Sequence, residues 1–283
     1  MTKIDFVVPY VDSTDEVWRK TFFDYCKKYN LYNHYADLGT IRYQDNLTLI
    51  TYQLRLVEKN MPWINKIYLL VSNKEQVPSN LSSKVVVVLH KEFIPAKYLP
   101  TFNSTTIEMF LWNIPNLSEH FIYANDDMLP CKELNPDNFF TDAGKIKINF
   151  LQETKGEIKK TFRYQCENSY YHLLNLFRKD IDNHYLRPEH SFTPMIKSHC
   201  KECFDALNKT ITRHIRAFRT VNQHNQYIYP IYEWLKYGVE QSDIDFLYSQ
   251  CETGVDLEHQ IVCLNTIPKK LETQVRYKLE DLL

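Results

Sequence analysis

Two adjacent carboxylates, in Tyr123-Ala124-Asn125-Asp126-Asp127, follow a short apolar run and form the sharpest chemical feature of the chain. Carboxylate oxygens are hard ligands that suit Mg²⁺ or Mn²⁺, and Mg²⁺ is commonly held by one or two of them plus the phosphates of a substrate. Asn-Asp-Asp is also ordinary turn composition, so the same residues read as a polar turn. The five glycines, Gly39, Gly144, Gly156, Gly238 and Gly254, lie far apart, so neither a G-x-G-x-x-G nor a Walker A loop exists. A nucleotide bound here needs another device, and a metal bridging phosphates to acidic side chains is the common one. His199-Cys200-x-x-Cys203 has zinc-like spacing but lacks a second close pair of ligands, so two buried thiols on a helix is the better reading.

These residues must be positioned by the elements around them. Ile4 to Val11, Lys66 to Val71, Lys84 to Leu89 and His120 to Tyr123 read as strands. Between them, Asp45 to Asn60 carries Leu47, Ile50, Leu54 and Val57 at helical spacing, and Ser104 to Trp112 reads as another helix. Ser13 or Thr14 is the expected cap of a helix after the first strand, with Asp15 and Glu16 in its first turn. This alternation implies an α/β sheet, in which ligands bind at the carboxyl ends of the strands. Residues 167–250 read as mostly helical, a subdomain over the active edge. His259 to Leu264 is expected to rejoin the sheet, and Leu271 to Leu283 to form a terminal helix.

With 283 residues, of which 44% are hydrophobic, the chain can build a real core. Its 34 basic and 35 acidic residues leave a formal charge of -1, so there is no general attraction to nucleic acid and any phosphate binding is local. No apolar run approaches the ~20 residues of a membrane span, and no signal peptide is visible. The seven cysteines are odd in number and scattered, which fits reduced thiols and a cytosolic protein. The 20 Tyr, 16 Phe and 4 Trp serve core packing or a sugar-binding surface; composition favours packing.

Several stretches in order resemble the Stealth proteins, bacterial capsule and exopolysaccharide hexose-1-phosphate transferases with the animal lysosomal-enzyme N-acetylglucosamine-1-phosphotransferase as a distant relative. They are IDFVVPYVDSTDEVWR at 4–19, the segments from RYQDN to IPNLSEHFIYANDD within 42–127, RPEHSFTPM at 187–195 with RHIRAFRTVNQHNQYIYPIYEWL at 213–235, and IVCLNT at 261–266. The resemblance implies a glycosyltransferase-A-like α/β core; with the helical pattern read above, the expected division is a mixed-sheet core over 1–166, an inserted helical subdomain over 167–250, and a return strand and helix over 251–283. It implies a UDP-sugar donor, a divalent metal, Mg²⁺ or Mn²⁺, and attack of an acceptor hydroxyl on the phosphorus next to the sugar, with UMP leaving. The acceptor it implies is a polysaccharide or lipid-linked oligosaccharide, met at the inner membrane face by peripheral contact.

Residue by residue, the resemblance makes Asp127 the best metal ligand with Asp126 beside it. It matches Arg219 to the arginine that stabilises the transferred phosphoryl, with Arg42 helping; a surface role is the better reading of Arg216. It makes His190 the base, with His184 and His199 as nearby competitors. Glu108 matches a functional glutamate. Asn103 and Ser104 are expected to bond sugar hydroxyls or to cap a helix. Pro9, Tyr10, Asp12 and Asp45 stand where such a sheet receives a uridine, and Asn265 is a further site residue. Thr266 follows it where relatives commonly carry aspartate. Two other readings use the same residues: an ordinary sugar transferase that releases UDP, and a non-catalytic glycan- or nucleotide-binding protein.

Overall fold

The computed structural model describes residues 2–31, 48–249, 254–265 and 267–283; Arg42, Asp45 and Thr266 lie outside them. In chain order the strands are β1 (Ile4–Pro9), β2 (Ile67–Val71), β3 (Val85–Leu89), β4 (His120–Tyr123), β5 (Met128–Pro130), β6 (Phe150–Thr154), β7 (His184–Pro188), β8 (Thr193–Ile196), β9 (Phe246–Ser249) and β10 (Ile261–Leu264). The helices are α1 (Glu16–Lys28), α2 (Leu49–Asn60), α3 (His90–Phe93), α4 (Ser104–Glu108), α5 (Thr161–Leu176), α6 (Lys197–Ala206), α7 (Asn208–His214), α8 (Ile228–Lys236) and α9 (Glu272–Leu282).

The central sheet has the order β3-β2-β1-β4-β8. The first four strands run parallel, and β8 is antiparallel to β4. β2 is a continuous apolar run, and β1 is interrupted only by buried Asp5, because both faces of the sheet are covered. Alternation sorts their side chains: Val7, Tyr68, Leu70, Phe121 and Tyr123 face one core, while Phe6, Val8, Leu69 and Ile122 face the other. The chain leaves β1 toward β2 on one side and reaches β4 on the other. That reversal is a topological switch point, where open α/β sheets bind their ligands beyond the strand ends.

Three expectations change. Residues 167–250 carry α5 to α8, but also β7, β8 and β9. They do not stand apart from the sheet: β8 pairs with β4, and Leu173, Cys203 and Ile231 share one core with Val7 and Phe121. The short runs HYLRP and TPMI escape a strand reading because four or five residues show no clear period. β10 does not rejoin the central sheet; it lies between β5 and β9 in a separate small sheet. Asp15, and not Ser13 or Thr14, caps α1, accepting from the N–H groups of Val17 and Trp18 at 3.0 and 3.2 Å. Thr14 is engaged elsewhere, its N–H and hydroxyl both donating to Asp12 at 2.8 Å.

Candidate functional site

Asp126 and Asp127 lie in the turn between β4 and β5, directly beyond the carboxyl end of a buried strand. The turn is held from three sides. The Met128 N–H donates to the Asn125 carbonyl at 3.3 Å, closing it on itself. Buried Gln53 of α2 donates Nε2 to the carbonyls of Asn125 and Met128, both at 2.6 Å. From β10, the Leu264 N–H donates to the Asp127 carbonyl at 2.8 Å. This stiffness matters because a carboxylate ligand is useful only where its direction is fixed.

Asp127 Oδ1 is buried with no hydrogen-bond partner among the described residues. Burial raises the pKa of Asp127, and hydrogen bonds from the Cys263 thiol and its own backbone lower it again. An unpartnered buried carboxylate oxygen beside a second carboxylate fits a hard divalent cation, whose charge would replace the missing partner. No group of three or more His, Cys, Asp or Glu side chains capable of holding a metal occurs among the described residues. The pair therefore fits a cation that takes its remaining ligands from water and substrate phosphates, as Mg²⁺ does.

A continuous line of side chains leads away from the turn. Tyr123, buried at the end of β4, donates its hydroxyl to Asn125 Oδ1 at 3.2 Å. Tyr123 and Ser104 both hydrogen-bond Glu108 on α4, and the Gln226 N–H donates to Glu108 Oε2 at 2.8 Å. Burial pushes the Glu108 carboxyl up, while the Arg219 charge and these hydrogen bonds pull it down. Arg219 donates to the Ser104 hydroxyl. On the other side, Asn125 Nδ2 lies 3.5 Å from His190 Nε2, and His190 Nδ1 is 2.8 Å from the hydroxyl of fully buried Tyr227. Burial, then the charges of Arg187, Arg163 and Arg219, hold the His190 pKa down to about 4. The ring is therefore neutral near pH 7. Because the Asn125 amide is a donor, Nε2 carries the lone pair and Nδ1 the proton.

The Arg219 segment is pinned by α4 and α5. The Phe102 N–H donates to the Ala217 carbonyl at 2.9 Å, and the Gln165 side chain donates to the Thr220 carbonyl at 2.8 Å. Buried Gln223 accepts from the Thr220 N–H at 2.8 Å and from Asn103 Nδ2 at 3.1 Å. Phe218 is clamped among Trp18, Phe22 and Phe102.

The expected residues divide accordingly. Asp126, Asp127, Glu108, Ser104, Arg219 and His190 come together. Asn103 is the cap of α4, accepting from the Thr105 N–H at 3.2 Å, and its amide also bonds the Arg216 carbonyl and Gln223. With 1% of its surface exposed, its hydrogen-bonding groups serve the frame. Pro9 and Tyr10 end β1 at the switch point, while both Asp12 oxygens are taken by Thr14. Asn265 follows β10, its N–H donating to the Ser249 carbonyl at 3.0 Å. Arg216 is exposed and donates to the carbonyls of Arg213 and Ile215. Among the competing histidines, His184 is exposed at the start of β7, and His199 is paired with Glu233 at 2.7 Å. Cys200 and Cys203 are buried thiols on α6. Sequence reasoning did not single out Tyr123, Asn125, Tyr227 or Gln53. Asn125 was in view beside the carboxylates; nothing local sets Tyr227 apart from the other tyrosines.

Residues 42–148 match the family model described as Stealth protein CR2, conserved region 2. The capsular polysaccharide phosphotransferase cps1A of Actinobacillus pleuropneumoniae is 31% identical over 261 residues, covering 87% of this chain and 69% of that protein. The chain belongs to the Stealth family. Another Stealth relative, the capsular polysaccharide phosphotransferase LcbA of Neisseria meningitidis, is 32% identical over 263 residues, with 87% and 69% of the two chains covered. The exopolysaccharide phosphotransferase cps2G of Lactiplantibacillus plantarum is 40% identical over 154 residues, 53% of this chain and 42% of that one. The Stealth region at 42–148 includes α4 with Glu108 and the Asp126-Asp127 turn. No helix among the described residues is long and apolar enough to cross a membrane.

Proposed function

We propose that this Stealth protein transfers a hexose-1-phosphate or N-acetylhexosamine-1-phosphate group from a UDP-sugar to a hydroxyl of a surface polysaccharide or its lipid-linked precursor. The observation that carries the reading is the contact line Arg219–Ser104–Glu108–Tyr123–Asn125–His190 beside the Asp126-Asp127 turn. It links an arginine, a buried glutamate and a neutral imidazole by successive contacts near the strand ends, with the carboxylate pair next to Asn125. The names of the relatives, capsular and exopolysaccharide phosphotransferases, support the same reaction class.

In this reading the acceptor oxygen attacks the phosphorus that bears the sugar. A new P–O bond forms, the bond to the UMP oxygen breaks, and UMP leaves with that electron pair. Mg²⁺ or Mn²⁺ held by Asp126 and Asp127 would neutralise charge on the pyrophosphate. Arg219 bonds the oxygens of the phosphoryl in transit, a task for a planar, permanently charged fork. Glu108 and Ser104 aim Arg219. His190 accepts the acceptor proton at Nε2, the nitrogen that faces Asn125 across a long contact of 3.5 Å. Tyr227 accepts from Nδ1–H and keeps the ring in that tautomer. The uridine belongs at the β1 end, by Pro9 and Tyr10, on a glycosyltransferase-A-like core. The enzyme works in the cytoplasm, meeting its acceptor at the inner membrane face by peripheral contact.

The test is product identity. Purified protein is incubated with Mg²⁺ or Mn²⁺, a panel of UDP-sugars and glycan acceptors, and the nucleotides are separated. UMP release that disappears in Asp127→Ala is the expected result. UDP release would instead mean an ordinary glycosyltransferase on the same scaffold. Metal-dependent binding without turnover would favour a binding protein.

A further inference from the structure

Tyr248 of β9 is 43% exposed beside the site residue His190. Its ring meets the His190 ring edge-to-face, with centroids 5.8 Å apart and planes at 62°. Phe162, at the start of α5, meets the same imidazole at 6.0 Å and 74°, and also packs against Tyr227 at 5.9 Å. The strand register explains the placement. Tyr248 pairs with Cys263 across parallel β9 and β10, so the two side chains share a face. Cys263 is the thiol that bonds Asp127, so that face is the one turned to the carboxylates. Phe246 shares it and packs into the core, whereas Tyr248, two residues on, has reached the rim.

A single exposed aromatic is unremarkable on most surfaces. Tyr29 and Tyr237 are such cases, resting on Phe218 and stacked on His199 respectively. Tyr248 differs because it borders the imidazole that must receive a proton. The Tyr248 ring centre is 5.8 Å from that of His190, so a sugar ring bound beside this imidazole has an aromatic neighbour in Tyr248. The apolar C–H face of a pyranose suits the electron-rich face of an aromatic ring, and the stacking excludes water from the reacting hydroxyl. Arg219, the charged group that suits a phosphate, lies at the far end of the contact line from His190.

We propose that Tyr248 and Phe162 form an aromatic platform that binds the acceptor sugar, holding the ring whose hydroxyl is presented to His190. The platform rests on the reading of His190 as the base of the transfer, and its test has a readout that does not need the transfer. Saturation-transfer NMR is run on the whole chain with the methyl glycosides of glucose, galactose and N-acetylglucosamine. At least one glycoside receives saturation on its ring C–H protons from the wild type, loses it in Tyr248→Ala and keeps it in Tyr248→Phe, which retains the ring. In the transfer assay, Tyr248→Ala raises the acceptor KM about tenfold, the loss of one stacked ring. Equal saturation in wild type and Tyr248→Ala, or none in either, overturns the platform. Glycoside binding that depends on Tyr248 in a protein that releases no UMP would keep the platform and remove the reaction. UMP release with an unchanged acceptor KM in Tyr248→Ala would do the reverse.

Discussion

At the scale of single residues, burial decides what each group does. His190 is a partly buried imidazole, facing a donor on one nitrogen and a tyrosine hydroxyl on the other. Burial and the neighbouring arginines hold its pKa to about 4, well under the usual value for histidine. The sign follows directly. A base works when neutral, and a depressed pKa keeps it neutral to lower pH. The acid limb that His190 imposes on kcat/KM, which reports the free enzyme, is therefore expected near pH 4 and not near 6.5. A profile of kcat/KM against pH in wild type and His190→Gln reads this; a limb at 6.5 that vanishes in the variant would show that the ring is solvated. Asn103 teaches the opposite lesson. Its type suits a sugar hydroxyl, but its oxygen caps α4 and its amide holds Gln223 and the Arg216 carbonyl. Asn103→Ala should cost about 1–2 kcal/mol of stability by denaturant titration, the range for a lost cap.

Elements matter here mainly as clamps. The Asp126-Asp127 turn spans two short strands in different sheets, so neither sheet alone would orient it. Gln53, one turn into α2, donates to two of its carbonyls from a fully buried position. Gln53→Ala removes a donor from both carbonyls where water has little access, although the Asn125 carbonyl keeps the Met128 N–H. The expected loss is about 1–3 kcal/mol of stability, the range for removing one partner from a buried polar group. Divalent-metal affinity should weaken with it, because the carboxylates lose their fixed direction. Isothermal titration with Mn²⁺ alongside urea unfolding measures both, and a stability loss below half a kcal/mol would mean that water replaces the glutamine.

For the molecule as a whole, the central sheet is not contained in the first half of the chain. β8 supplies the strand that covers the outer edge of β4, and Leu173, Cys203 and Ile231 complete the core over Val7 and Phe121. A fragment of residues 1–166 would leave that edge unpaired and that face in water, at roughly 25 cal/mol for each Å² of apolar surface. It is expected to lack cooperative thermal unfolding in circular dichroism, whereas the full chain unfolds in one transition for the 1–166 and 167–283 halves together. A fragment with its own sharp transition would establish an autonomous first domain.

How much was legible follows from the range over which each signal acts. The first four strands, α2 and the terminal helix were readable because apolar periodicity is a local property that burial on a sheet enforces. The carboxylate pair stands out by its residue types alone, and Glu108, Arg219 and His190 enter as candidates through the Stealth resemblance, since a motif keeps residue types together. Other features needed the folded chain. That Asn103 serves the frame, that β8 joins the main sheet and β10 does not, and that Tyr123, Tyr227 and Gln53 hold the site together depend on partners more than sixty residues away in sequence in several cases, such as Gln53 with Asn125. Hydrogen bonds and edge pairings of that span leave no period in the chain, because their geometry is set only when the two cores close around the sheet.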